Sequence, residues 1–108
     1  YCGLPGDKYH AVAEKYLPNG SCGVVSFGVK GGREAAAAFM GHLKIAAIET
    51  HVADARTCCL HPASSTHRQM NDEQLIAAGV QPDLVRMSCG LEDKNDLIHD
   101  IAQALDQI

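Results

Sequence analysis

Apolar positions follow two periods along this chain, and the switch from one to the other marks out its elements. Tyr9, Val12, Ala13 and Tyr16 recur at i, i+3, i+4 and i+7, which predicts a helix over about Lys8–Tyr16 capped by Asp7. Pro18-Asn19-Gly20 ends it, because proline cannot continue a helix and Asn-Gly accepts positive φ. Over Gly23–Val29 the period falls to two. Val25, Phe27 and Val29 share one face of a predicted strand, while Val24, Ser26 and Gly28 form a smaller opposite face. Gly31-Gly32 breaks the strand, and helical spacing returns over Arg33–Leu43, with an apolar stripe at Ala36, Phe39, Met40 and Leu43. Lys44 to about Val52, with Ile45, Ala46, Ala47 and Ile48, reads as a second, largely buried strand.

Between Asp54 and Gln69 no period survives. Thr57, Cys58, Cys59, His61, Pro62, Ser64, Ser65, Thr66 and His67 fall in one irregular stretch, and a polar loop of that length in a small domain more often serves function than mere connection. Asn71 and Gln74 then form a capping pair, Leu75 and Ile76 supply the apolar side of a helix, and Gly79 closes it. Leu84–Cys89 reads as a third strand, with Arg86 and Ser88 on the face opposite Val85 and Met87. Glu92, Asp93 and Asp96 crowd the first turn of a last helix, where negative charge meets the positive end of the helix dipole. Leu97, Ile101, Ala104, Leu105 and Ile108 make its inward stripe. Strands separated by helices predict an α/β (α+β) fold: a two-layer sandwich with a small three- to four-stranded sheet, helices on one face and the other face open. The chain reads as one domain over 1–108, with a leading segment and helix over 1–20 and the sheet-and-helix body over 21–108.

Composition narrows the function classes. The 108 residues suit one hydrophobic core, and 46% hydrophobic residues exclude disorder. A net charge of −4 leaves no basic footprint for nucleic acid or an anionic membrane surface. No apolar run approaches the ~20 residues of a membrane helix, and no charged-then-apolar leader opens the chain. The five cysteines, Cys2, Cys22, Cys58, Cys59 and Cys89, are odd in number and irregular in spacing, which points to reduced thiols and a cytoplasmic location.

Arg86 is the sharpest single candidate. An arginine inside a strand pattern either reaches solvent or meets an anion, and its planar fork suits a carboxylate. Cys58, Cys59, His61 and His67 offer thiolate and imidazole, but adjacent cysteines fit one tetrahedral zinc ion poorly and no C-x-x-C spacing occurs, so no metal is expected there. Gly28-Val29-Lys30-Gly31-Gly32 precedes a helix but matches no phosphate-binding fingerprint, and reads as a plain turn.

Several motifs then fall in register. They are Gly23-Val24-Val25-Ser26-Phe27, Asp54-Ala55-Arg56-Thr57, His61-Pro62-Ala63-Ser64-Ser65-Thr66-His67, Ala78-Gly79-Val80, Leu84-Val85-Arg86-Met87-Ser88-Cys89-Gly90-Leu91-Glu92 and Asp100-Ile101-Ala102-Gln103-Ala104-Leu105. Together they resemble the C-terminal part of the Cys/Met-metabolism family of pyridoxal-phosphate (PLP) enzymes, and the D-A-R-T and H-P-A-S-S-T-H wording is most similar to the O-acetylhomoserine sulfhydrylase branch. The resemblance implies the C-terminal small domain of the fold-type I PLP transferases. It also implies the making of homocysteine or methionine from O-acetylhomoserine and sulfide or a thiol. It assigns Arg86 to the substrate α-carboxylate and Thr66 to the same pocket. It places His51 where relatives carry a serine or asparagine that also faces the carboxylate.

The chain departs from the family pattern at Ala53, where glycine is usual, and at Cys58 and Cys59, where branched apolar residues are usual. The resemblance further implies that PLP, its Schiff-base lysine and the phosphate-binding groups belong to a larger preceding domain absent from this chain. None of Lys8, Lys15, Lys30, Lys44 and Lys94 lies in that lysine's family context. The expected partners are a small amino-acid substrate, that N-terminal PLP domain and, at full length, a homotetramer, with no catalysis by this chain alone. The alternatives are a cystathionine γ-synthase or methionine γ-lyase type of domain, or a binding module without catalysis.

Overall fold

A computed structural model describes residues 1–108. The elements run α1 (His10–Tyr16), β1 (Val24–Gly28), α2 (Gly32–His42), β2 (Ala47–Ile48), β3 (Cys58–Leu60), a 3-10 turn (Pro62–Ser64), α3 (Asp72–Ala77), β4 (Leu84–Ser88) and α4 (Lys94–Leu105). The strands form one mixed sheet in the order β1-β4-β3-β2, with β4 antiparallel to both neighbours and β2 parallel to β3.

Register assigns the two faces. Phe27 lies opposite Val85, and Met87 opposite both Val25 and Cys59. Phe27, Val85, Met87 and Cys59 meet Ala36, Phe39 and Met40 of α2 and Ala104 of α4 in the core, where the Phe27 and Phe39 rings pack edge to face at 5.8 Å. The other face carries Ser26, Arg86 and Leu60 in one row and Val24, Ser88 and Cys58 in the next. The chain therefore folds as the expected two-layer α/β sandwich, with four strands.

The additional strand is β3, inside the stretch read as irregular. All three of its residues are buried, so no polar partner alternates with them to reveal a period. It is nonetheless an inner strand of the sheet. The predicted strand over Lys44–Val52 shrinks to Ala47–Ile48, because the amides of Lys44, Ile45 and Ala46 donate to the Asp100 carboxylate of α4 at 2.8, 2.9 and 3.0 Å. Asp100 is itself buried. Burial pushes its pKa up, but the amides of Ala46, Lys44 and Ile45 outweigh this and hold it below the ordinary aspartate value.

At the N-terminus, Asp7 Oδ1 accepts from the Tyr9 amide at 2.8 Å, so it closes the turn ahead of α1 and Tyr9 takes the cap position. The α1 stripe faces solvent, with Tyr9, Val12 and Tyr16 exposed and only Ala13 buried. The Asn71–Gln74 capping box is present at α3, and Gly79 (φ +80°) follows it. At α4 the cap is Asp93, whose side chain accepts from the Asn95 amide at 2.8 Å, and Glu92 turns away from the helix. Leu105 and Ile108 of the predicted inward stripe stay exposed, and with Val25, Phe27, Met87 and Ile101 they border an apolar groove of about 620 Å³. No helix is long and apolar enough to cross a membrane.

Candidate functional site

Arg86 sits mid-strand on β4, flanked in register by Ser26 and Leu60, on the face away from the core. Its Nη2 donates to the Thr50 carbonyl at 2.8 Å, and its Nε is buried without any hydrogen-bond partner. One arm of the fork is thus anchored, and Nε is left without an acceptor. An orphaned buried donor costs about 1–3 kcal/mol until something accepts from it, and a carboxylate does so in the plane of the guanidinium.

The segment that supplies Thr50 is held at several points. Ala53 N donates to Ser88 Oγ at 3.0 Å, which holds Ala53 at φ +60°, in the left-handed region that favours glycine. The Glu92 carboxylate receives the Thr57 amide and the Thr57 hydroxyl, each at 2.7 Å. Those two donors, the amide first, keep Glu92 below the ordinary glutamate pKa. Thr57 Oγ1 accepts in turn from the Gly90 amide at 2.8 Å. A methyl group on Gly90 would overlap the Ala55 carbonyl oxygen and the Arg56 backbone, so glycine is the residue that fits there.

The H-P-A-S-S-T-H segment follows directly on β3. His61 is buried with Nε2 at 2.8 Å from the Pro82 carbonyl, which requires a proton on Nε2, and Nδ1 accepts from the Ser64 hydroxyl at 2.8 Å. With both nitrogens engaged, His61 is neither a free base nor a metal ligand. Arg33, in the first turn of α2, donates to the Ala63 carbonyl at 2.6 Å, the Met70 carbonyl at 3.3 Å and Asp72 Oδ1 at 2.6 Å, and so pins both ends of the segment.

The structure joins Arg86 to the peptide that links Thr50 and His51. The His51 imidazole itself turns toward acid, with Nδ1 3.2 Å from Glu49 Oε2 and 3.5 Å from Asp54 Oδ2. Thr66 Oγ1 pairs with His67 Nδ1 at 2.9 Å, and no hydrogen bond links it to Arg86. Arg33, Thr57 and Glu92 were not picked out as site residues from sequence. Arg33 carried a usable signal, because a cation at the positive end of a helix is disfavoured unless an anion or carbonyl meets it.

The chain is thus a small α/β domain that presents one half-buried arginine on the sheet face away from the core. Comparison places it: the family of Cys/Met metabolism PLP-dependent enzymes matches residues 1–106, and the chain belongs to that family. It is 44% identical over 105 residues to O-acetyl-L-homoserine sulfhydrylase 1 of Thermus thermophilus, covering 97% of this chain and 25% of that protein. It is also 44% identical over 106 residues to the homocysteine synthase of Schizosaccharomyces pombe, covering 98% and 25%.

The fold matches a crystal structure of a Campylobacter jejuni protein assigned as an O-acetylhomoserine (thiol)-lyase and holding pyridoxyl-lysine phosphate. There the TM-score is 0.86 at 34% identity, over 98% of this chain and 25% of that one. The chain thus spans about a quarter of the length of the relatives it matches.

PLP needs a lysine and groups that tune its ring. The residues around Arg86 do not supply them. Lys8 and Lys15 lie over the Tyr9 and Tyr16 rings, Lys30 borders the groove on the opposite side of the sheet, Lys44 precedes β2 and Lys94 opens α4.

Proposed function

We propose that the chain is the C-terminal, substrate-binding domain of a PLP-dependent O-acetylhomoserine sulfhydrylase, which makes homocysteine or methionine from O-acetylhomoserine and sulfide or a thiol. The observation that carries this reading is the Arg86 fork, anchored at one arm by Thr50 and left with a buried, unpartnered Nε. The α-carboxylate of the amino acid accepts from the guanidinium donors that Thr50 leaves unpaired. Held there, the substrate is oriented rather than activated, and its reacting carbons are presented at a fixed distance from the arginine. Thr66 and His51 line the pocket at its two rims. Both names at 44% identity and the pyridoxyl-lysine neighbour support the reading.

The chain's partner in this reading is a lysine-bearing PLP domain, assembled as a homotetramer in the cytoplasm. The unpaired state of all five cysteines suits such a reducing compartment. The test is homocysteine release from O-acetylhomoserine and sulfide by PLP-loaded enzyme containing this segment. Arg86→Ala should raise KM for O-acetylhomoserine by roughly ten- to a hundredfold, the loss expected for a charge-assisted contact. An unchanged KM overturns the assignment. The 108-residue chain alone should release no homocysteine.

A further inference from the structure

Just after β2 the Glu49 amide donates to the Cys59 carbonyl at 3.1 Å, and the next main-chain bond is from the Leu91 amide to the Ala55 carbonyl at 2.8 Å. Residues 50–54, between them, make hydrogen bonds only with side chains. Most of these ties are local. His51 Nδ1 meets Glu49 Oε2 and Asp54 Oδ2, and Asp54 Oδ1 accepts from the Arg56 amide, so they brace the loop against itself and move with it. Two ties reach the sheet, both on β4: Arg86 Nη2 donates to the Thr50 carbonyl at 2.8 Å, and Ser88 Oγ accepts from the Ala53 amide at 3.0 Å. We propose that Ser88 is a positioning residue for substrate binding, which fixes the loop whose Thr50 carbonyl aims the Arg86 guanidinium. The inference rests on the reading of Arg86 as the ligand of the substrate carboxylate.

Arg86 and Ser88 are two residues apart on β4, so their side chains leave the same face of the sheet about 6.5–7 Å from each other. Thr50 and Ala53 stand three residues apart on the loop. The two bonds therefore close a ring of strand, arginine, loop and serine, in which each bond limits how far the other can travel. Ser88 is the firm corner of that ring. It is buried on an inner strand, with Val24 and Cys58 opposite it in register. Its oxygen is placed by a single rotatable bond, whereas the arginine stem has several, so the serine sets where the loop stands and the guanidinium follows. Ala53 adds to the dependence. At φ +60° it holds a conformation that an L-residue leaves once nothing retains it, and the bond to Ser88 is the one hydrogen bond its amide makes. Without that bond the loop relaxes and the Thr50 carbonyl shifts. The guanidinium, whose Nε is buried and unpartnered, then turns out of the plane in which it meets a carboxylate.

The test is steady-state kinetics of the PLP-loaded, full-length enzyme with O-acetylhomoserine and sulfide. Arg86→Ala alone reads the carboxylate assignment, so a failure of that reading is told apart from a failure at Ser88. Ser88→Ala is expected to raise KM for O-acetylhomoserine about three- to tenfold, the share of one neutral hydrogen bond, with kcat and KM for sulfide within about twofold of wild type. In an Arg86→Ala background the same change should add less than about twofold, because a residue that acts through the guanidinium then has nothing to position. Hydrogen exchange of the Ala53 amide should speed up in Ser88→Ala, a readout that does not depend on turnover. Ser88→Cys replaces the oxygen by a weakly accepting sulfur at nearly the same volume, and reads the bond by the same KM rise even if Ser88→Ala fails to fold. Wild-type KM in the serine variants, an equal rise with and without Arg86, or unchanged exchange at Ala53 overturns the inference and leaves Ser88 as a packing residue of β4.

Discussion

Arg86 reaches across the open face of the sheet and donates to the main-chain carbonyl of Thr50 at 2.8 Å. This bond orients the guanidinium through a group that substitution at position 50 cannot remove. Arg86→Lys should therefore fail to rescue substrate binding although it keeps the charge. An ammonium is a point donor, and once it satisfies Thr50 it has no planar pair left for a carboxylate. KM for O-acetylhomoserine in the PLP-loaded enzyme should stay at least about tenfold above wild type, a loss of about 1.4 kcal/mol. Recovery of wild-type KM by lysine would show that charge alone suffices.

Asp100 gathers three consecutive amides and receives Gln103 Nε2 at 3.1 Å as well. It performs the work that strand pairing would otherwise do for Lys44–Ala46. Asp100→Asn places an NH₂ group against amide donors and removes the charge, so it should destabilise by about 2–3 kcal/mol, as expected when charge-assisted bonds are broken in a buried site. Urea unfolding with an unchanged slope and a lower midpoint checks this.

The same carboxylate, together with Glu92, contributes to the stability of the fold on the acid side. Both pKa values lie below the ordinary carboxylate range in the folded state. Stability from such groups is fully present above the unfolded pKa of about 4 and is lost as pH falls through the lower folded values. Stability should therefore be flat with respect to these two groups from neutrality down to about pH 5 and fall below about pH 4. Glu92→Gln should make the acid-side slope shallower, because one of the titrating clamps is gone. Equal slopes in the two proteins would remove Glu92 from this account.

What was legible in the sequence follows from where periodicity is strong. Phe27, Phe39, Met40, Val85 and Met87 could be assigned to the core because period-2 and period-3.6 patterns expose one face at a time. β3 was not legible, since Cys58-Cys59-Leu60 is buried on both sides and too short to show any period. α1 misled in the opposite sense. Its stripe has helical spacing, yet Tyr9, Val12 and Tyr16 find nothing to cover them. Arg86 stood out as a cation among apolar strand neighbours. Its anchor did not, because Thr50 acts through a backbone carbonyl that any residue provides. The contact between Glu49 and Cys58 was hidden for another reason. Cys58 is brought to Glu49 by parallel pairing of β2 with β3, and pairing is a property of topology rather than of spacing.

Ala53 stores strain that can be relieved. At φ +60° an L-residue pays about 1–2 kcal/mol, while glycine pays about 0.5–1 kcal/mol in added unfolded-state entropy. Ala53→Gly should accordingly stabilise by up to about 1 kcal/mol, and the Ala53 amide bond to Ser88 Oγ is kept, since no side-chain atom takes part. In a domain of this size that corresponds to a rise in Tm of about 4–8 °C per kcal/mol. A lower Tm in the glycine variant would mean that the turn is not strained at this residue.

Arg33 gives the most direct test of how the H-P-A-S-S-T-H segment is held. Its guanidinium meets Ala63 O, Met70 O and Asp72 Oδ1, so one side chain ties the start, the end and the following helix cap region of the H-P-A-S-S-T-H segment to α2. Between those anchors the segment has few ties. Ser65 Oγ donates to His61 O at 2.7 Å and His67 N donates to Pro62 O at 2.8 Å, but Thr66 bonds only to its neighbour His67. Arg33→Ala leaves two carbonyls and a carboxylate to water. Because the Arg33 side chain is partly exposed, the global cost should be modest, about 1–2 kcal/mol. The local cost should be larger than that number suggests, because opening the segment then breaks only its own short-range bonds. Amide hydrogen exchange should speed up at His67 and Met70, whose amides are bonded within the segment, while protection at Val85 and Met87 on β4 falls only with global stability. If exchange rises equally at both places, Arg33 stabilises the whole fold rather than the segment, and Thr66 owes its position to the chain's own turns.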